Sequence, residues 1–445
     1  MTRRARQTLP EGQQDPGADR GRNGLTALLA GGLILLLSVG AVWGTTYEMI
    51  ADEELARQAE VILQAVVVAR EPAPIPSPPS TDYFVQVERV LKGFVAGSTV
   101  IVRLAGGIGP DGVGLRVWGS PQFQQGERVL LFLVPRADGT YGVLHLMLGV
   151  FHEMQFQGRR LAVRDLSEAR QALSERDLLS QGPVGLLDPP RRWDAFARWL
   201  TELGPQAVQS TSPIGRASYV DVESAVAFHE QAPHSALLLE PCTGLGLRWF
   251  GFHRRRPITW HVNSGSGEGN VKASELAVAL DAWERATAGR LQLSVAGSTT
   301  SGSGLSEHDG LNTVLSDDPD DWITGSYRCR VGGVLAVSGL WFDSGRDQQC
   351  RLRRVGRKGS AGDRDYLRIS STDVVMNDGT GCYFAGDRSR LLEVLAHEIG
   401  HTLGLTHANE AEALMFGSVH DDGRGATLDA WDQRAINQLY GPQEP

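Results

Sequence analysis

Residues 397–407 read His-Glu-Ile-Gly-His-Thr-Leu-Gly-Leu-Thr-His, and this run constrains the chain more than any other. Two histidines four apart on a helix are offset by about 40° around its axis and about 6 Å along it, so His397 and His401 reach one ion together. Glu398 lies beside the first of them, placed to take a proton from a metal-bound water rather than to bind the metal. Gly404 is the residue type that adopts positive φ, which ends the helix and doubles the chain back, carrying His407 to a third ligand position. Three neutral histidines leave the fourth tetrahedral position of a zinc ion to water, the pattern of a catalytic centre. A lone His-Glu-x-x-His also arises by chance on helices whose histidines merely pack. The third histidine and the glycine at the required offsets argue against that here.

Further signals stand in order around this run. Residues 257–263 (PITWHVN) read as a strand, and 271–287 as a long helix with Leu276, Ala279, Leu280 and Trp283 at helical spacing. Residues 333–339 (GVLAVSG) and 373–377 (DVVMN) read as two more strands, Ala413-Leu414-Met415-Phe416 comes after His407, and the chain closes on a helix ending Leu439-Tyr440-Gly441. Taken together, residues 247–441 resemble the metzincins, and within them the matrixins. The resemblance implies a mixed α/β, zincin-like catalytic domain with a five-stranded sheet and an active-site helix. It also implies a Met-turn at Met415 beneath the zinc, with Asp432 bracing it, and an edge strand at 333–339 forming the upper rim of a peptide-binding cleft. Protein or peptide substrates would lie antiparallel on unpaired backbone around Val334 to Val337. Two family features have no counterpart: the second, structural zinc loop and the propeptide cysteine switch. Matrixin strand order further implies the disulfides Cys329–Cys382 and Cys242–Cys350.

The N-terminus adds a second constraint. Residues 25–44 form an almost uncharged apolar run behind a tail carrying Arg3, Arg4, Arg6, Arg20 and Arg22. It reads either as an uncleaved transmembrane anchor or as a secretory signal cut near Ala41 or Gly44, and both export the rest of the chain. Four cysteines in an exported chain fit disulfides better than metal binding. The formal charge of -9, with no basic patch, gives nucleic-acid binding no support.

Between the two lies a strand-rich half. After a helical stretch at 52–58, strands are expected at 61–68, 83–91, 99–104, 128–134 and 142–151, with a proline-rich loop at 71–80. Short strands without intervening helices point to a small all-β barrel or sandwich, and residues 83–93 resemble the OB-type barrel of the tissue inhibitors of metalloproteinases. Two amphipathic helical segments are expected in 161–203, the second placing Trp193, Phe196, Trp199 and Leu200 on one face for packing. The organisation is therefore a polar tail or n-region at 1–24, the apolar segment at 25–44, a β-barrel-like domain at 48–155, a helical and linker segment at 156–237, and the metzincin-like domain at 238–445.

His145, His152, His229, His234, His253, His261, His308 and His420 lack ligand spacing and read as ordinary packing or surface residues. Arg254-Arg255-Arg256 reads as a solvated basic loop and Asp317 to Asp321 as an acidic turn, with calcium as its alternative role. The expectation is an exported zinc endopeptidase, membrane-anchored or secreted, with Glu398 as general base. Its rival is a non-catalytic exported binding protein that uses the same domain as scaffold, against which the intact Glu398 speaks.

Overall fold

The computed structural model describes residues 45–74, 78–166, 170–172, 188–203, 237–240, 242–252, 254–263, 270–300, 304–347, 349–352 and 365–441. The apolar run at 25–44 lies outside the described residues, as does nearly all of 204–237. No helix among the described residues is long and apolar enough to cross a membrane.

In chain order the first part comprises β1 (Thr45–Glu48), α1 (Asp52–Gln58), β2 (Val61–Pro72), β3 (Ser80–Lys92), β4 (Thr99–Ala105), β5 (Gly107–Ile108), β6 (Val113–Val117), β7 (Arg128–Pro135) and β8 (Tyr141–Val143). Next come β9 (Val150–Phe156), β10 (Arg159–Val163), β11 (Arg170–Ala172), β12 (Arg191–Arg192) and α2 (Trp193–Leu203). The second part holds β13 (Gly246–Arg248), β14 (Ile258–Asn263), α3 (Ala273–Ala286), β15 (Leu293–Ser298), β16 (Thr313–Leu315), β17 (Gly333–Asp343) and β18 (Tyr366–Met376). Helices α4 (Gly381–Phe384), α5 (Arg388–Thr402) and α6 (Ala430–Tyr440) complete it.

The N-terminal half is a barrel. β2, β3 and β4 form an antiparallel meander, β4 runs parallel to β8, β8 pairs antiparallel with β7, and β7 returns to β2 and closes the ring. Strict alternation fills it: Val61, Leu63, Ala65 and Val67 of β2 point inward with Val100, Val102 and Leu104 of β4 and Val129, Leu131 and Leu133 of β7. The opposite faces of β2 and β7 are buried as well. Ile62, Leu130 and Phe132 pack with Leu55 of α1, with Trp193 and Phe196 of α2, and with Val334 and Val337 of β17. The two halves of the chain thus share a core.

Sequence reading and structure part company at two barrel elements. The strand expected at 142–151 is two strands, β8 and β9, split by a 3-10 turn over Leu146–Gly149, with His145 and Leu146 at φ 52° and 53°. In the region expected to begin the first amphipathic helix, Arg159–Val163 and Arg170–Ala172 are strands; backbone pairing with β9 and β1 outweighs the local helical pattern.

The C-terminal half carries the expected sheet with a major extension. β15, β14, β16 and β18 are parallel neighbours in that order, and β17 joins β18 antiparallel. Helices α3 and α5 cover one face, tied by Trp283 Nε1 donating to Ala396 O at 2.8 Å. The sequence predicts a free edge at β17; the edge is occupied. β1 pairs with its first half (Thr45 with Val337 through Glu48 with Gly333) and β6 with its second half (Val117 with Gly339 through Val113 with Asp343). Among the described residues the sheet thus reaches 10 strands, with β13 added on β18 and β1, β5, β6 and β11 recruited from the N-terminal half, a long-range pairing that no local pattern announces.

Candidate metal and catalytic centre

Helix α5 starts at Asp387, whose carboxylate accepts the Ser389 N–H at 2.8 Å, and it runs to Thr402. Gly404 then takes φ 96°, and a side chain there would also collide with the Leu247 carbonyl. The chain turns back, Leu238 N–H bonds Gly404 O at 2.9 Å, and His407 arrives opposite the helix. The three imidazoles converge: His397 Nε2 lies 2.7 Å from His407 Nε2 and 2.9 Å from His401 Nε2. All three rings are buried.

The hydrogen bonds on the far side of the rings decide what this cluster can hold. His397 Nδ1 sits 2.8 Å from Leu414 O, and His401 Nδ1 sits 3.0 Å from Leu405 O. A carbonyl only accepts, so each Nδ1 carries the proton and each Nε2 presents a lone pair. Lone pairs facing one another at 2.9 Å with no proton between them repel, and a shared cation removes that repulsion. The donor set therefore fits zinc. Among the described residues this triad is the one group of three or more His, Cys, Asp or Glu side chains able to share an ion. The acidic run at 317–321 does not gather carboxylates in that way: Asp318 turns inward to accept Ile323 N–H at 2.6 Å, and its burial raises its pKa to about 6. Calcium thus has no support there.

Met415 packs against Gly400 of the helix that carries His397 and His401. Ala408 N–H donates to Met415 O at 2.7 Å, and any Cβ at Gly400 would collide with Met415 Sδ, so the glycine lets the turn press against the helix. Asp432 of α6 accepts Leu414 N–H at 2.7 Å and Met415 N–H at 3.0 Å; burial lifts its pKa to about 6 against those bonds. The loop after the turn is anchored to α5 by the buried Glu393, which takes His420 N–H at 2.9 Å, and by an Arg390–Asp421 ion pair.

Glu398, next to His397 on the helix, is buried, with a hydroxyl on each carboxylate oxygen. Ser338 of β17 donates to Oε2 and Thr46 of β1 to Oε1, both at 2.7 Å. Trp118, just past β6, lies with its ring 5.5 Å from that of His401, and its backbone N–H bonds Ser338 O at 3.1 Å. Sequence reasoning missed Thr46, Ser338 and Trp118. None belongs to a motif, and only the final pairing on β17 brings them to the centre.

The other positions singled out in the sequence are spread through the fold. Disulfides join Cys242 to Cys350 and Cys329 to Cys382, the pairs that matrixin strand order implies, and leave no free cysteine. Trp193, Phe196 and Leu200 are buried in the shared core beside Phe151. His145 is buried against Gln58, His152 pairs with Glu127, and His420 with Glu393, so none approaches the triad. His229, His234 and His253 lie outside the described residues.

Comparison with known proteins agrees with this geometry. The Matrixin family matches residues 312–441. Interstitial collagenase B of Mus musculus is 48% identical over 52 residues, covering 12% of this chain and 11% of that protein. Matrix metalloproteinase-21 of Xenopus laevis is 46% identical over 54 residues, 12% of this chain and 9% of that protein. Metalloendoproteinase 1 of Glycine max is 34% identical over 79 residues, 18% of this chain and 24% of that protein. The matched segments thus span a quarter or less of these relatives, and the N-terminal half has no part in the family match. The segment at 312–441, which holds the histidine triad, is thus similar to the matrixins, a family of metzincins.

Proposed function

We propose that the chain is an exported zinc endopeptidase, with His397, His401 and His407 as metal ligands, Met415 as the turn beneath them and Glu398 as the general base. The observation that carries this is the convergence of three imidazole nitrogens beside a buried carboxylate that is not among them. A bound zinc would polarise the scissile carbonyl and acidify a water. Glu398 takes the proton of the attacking water and passes it to the leaving amine, and Ser338 holds the carboxylate in place at Oε2. With β1 displaced, the peptide lies antiparallel on β17 around Val334 to Val337, where backbone groups give register and the loop at 417–427 shapes the side-chain pocket.

Export is supported by the apolar run at 25–44 and by the two disulfides, which persist in oxidising compartments. In this layout the barrel at 48–155 precedes a helical and linker segment at 156–237 and the protease domain at 238–445. The barrel's ring order, with β4 parallel to β8, supports reading it as an OB-type barrel similar to that of the tissue inhibitors of metalloproteinases. Purified full-length chain, loaded with zinc and with β1 displaced from β17, should cut denatured casein, stop on addition of a chelator, and resume on zinc replacement. Casein cleavage that ignores the chelator would exclude a metal centre. A chain that binds zinc yet never cuts, even with its cleft cleared, would favour the scaffold role.

A further inference from the structure

Strand β1 lies where the peptide of a proteolytic centre has to lie. We propose that residues 45–48 are a built-in occupant of the peptide groove, keeping the protein latent until the strand is displaced; this latency rests on the reading of the centre as proteolytic. Three sets of contacts support it. First, β1 runs antiparallel on Val334 to Val337 and consumes the backbone groups that an incoming peptide would need. Second, Thr46 places its hydroxyl 2.7 Å from Glu398 Oε1, so that oxygen is already engaged when a water would have to deliver its proton there. Third, the strand is locked at both ends. Thr45 Oγ1 donates to Trp118 O at 2.5 Å, and Gly119 is a glycine at the point where a Cβ would strike Thr45. At the other end Tyr327 donates its hydroxyl to Glu48; burial, then the Glu48 carboxylate, keep that phenol protonated.

β1 and β6 between them pair most of β17, from Gly333 to Val337 and from Gly339 to Asp343, and Glu398 and the three histidines are buried. The device is not a thiolate on the metal, because all four cysteines are consumed in disulfides. Nor is it an ordinary core strand. A buried strand has no need of threonines, yet both hydroxyls here are spent on the centre and its cap. Tyr47 is buried in the shared core, so release requires more than fraying. The exposed Ala51 between β1 and α1 is the accessible point at which the strand's connection can be cut.

The test inserts a site-specific protease sequence at Ala51 of the full-length chain. Zinc-loaded protein, intact or nicked and freed of the released peptide, is compared in two assays. One is chelator-sensitive cleavage of a quenched peptide. The other is binding of a fluorescent hydroxamate, which needs an open triad but no turnover. The proposal expects the intact chain to exclude the probe and the nicked chain to bind it, with turnover rising about tenfold or more, and a synthetic peptide of residues 45–50 to reverse both. Thr46→Val keeps the strand's shape but removes its hydroxyl from Glu398, and should raise turnover of the un-nicked chain by about tenfold. Equal probe binding by intact and nicked chains would overturn the proposal, as would exclusion of the probe after the peptide has gone. A nicked chain that binds the probe, is competed by the peptide and still cuts nothing would keep β1 as the groove's occupant and reject the proteolytic centre.

Discussion

Helix α5 and strand β1 meet at Glu398 from positions 352 residues apart. The helix side is local. Within residues 397–407 the ligand spacing, the base and the glycine reversal are all set by helical geometry and one φ of 96°. The strand side is entirely non-local: Thr45 and Thr46 acquire their roles only once β17 has formed and β6 has brought Trp118 beside it. A centre encoded in eleven consecutive residues can be recognised wherever it occurs, whereas its cover has to be found in the assembled sheet.

Perturbing each side should separate them. The largest effect falls on the local side. His401→Ala removes a ligand from a preformed triad, so the purified chain should lose its zinc and all turnover with it, measured as metal content. Retention of a full equivalent of zinc would mean the triad is not the site. Asp52, just past β1, probes the non-local side. Its buried carboxylate pairs with Arg164 at 2.7 Å and Arg191 at 2.9 Å, and Asp188 completes the cluster. Asp52→Asn leaves buried guanidinium charge under-compensated and should cost about 3–5 kcal/mol in urea unfolding. A change within error would mean that the cluster does not tie the barrel region together.

Gly404→Ala forces a side chain into positive φ and against the Leu247 carbonyl, a loss of about 1–3 kcal/mol that should also lower zinc affinity, because His407 is displaced. Unchanged melting and unchanged zinc affinity would show that the reversal tolerates any residue. The smallest effect is on pH dependence. Burial raises the Asp318 pKa to about 6 in the folded chain, above its unfolded value, so the native state holds the extra proton. Its contribution is complete at low pH and is lost as pH rises through about 6. Asp318→Asn should flatten that part of the melting profile; an identical slope in the variant would assign it elsewhere.

Much of the catalytic half was legible because its elements carry their own period. The strand at 257–263 and the helix at 271–287 appear as Ile258–Asn263 and Ala273–Ala286, α1 stands at the helical stretch expected at 52–58, and α2 stands where amphipathic spacing put it. The barrel's alternation was equally plain, yet Leu144 to Gly149 continued an apolar run through what is in fact a 3-10 turn with two positive-φ residues. Apolarity marks burial without distinguishing strand from turn. The free edge expected at Val334 to Val337 failed for a different reason: a strand's partners are decided by the rest of the chain. Ser338 illustrates the same limit: nothing within the strand expected at 333–339 marks its hydroxyl until the folded sheet places it on Glu398.

The most direct test of the proposed chemistry is Glu398→Ala, with zinc content and peptide cleavage measured on one preparation whose β1 has been released. Because Glu398 contacts Ser338 and Thr46 and is not among the converging ligands, zinc should stay at one equivalent while turnover falls by about 10²–10⁴-fold. Zinc lost together with activity, or activity retained, would contradict the assignment of Glu398 as the base.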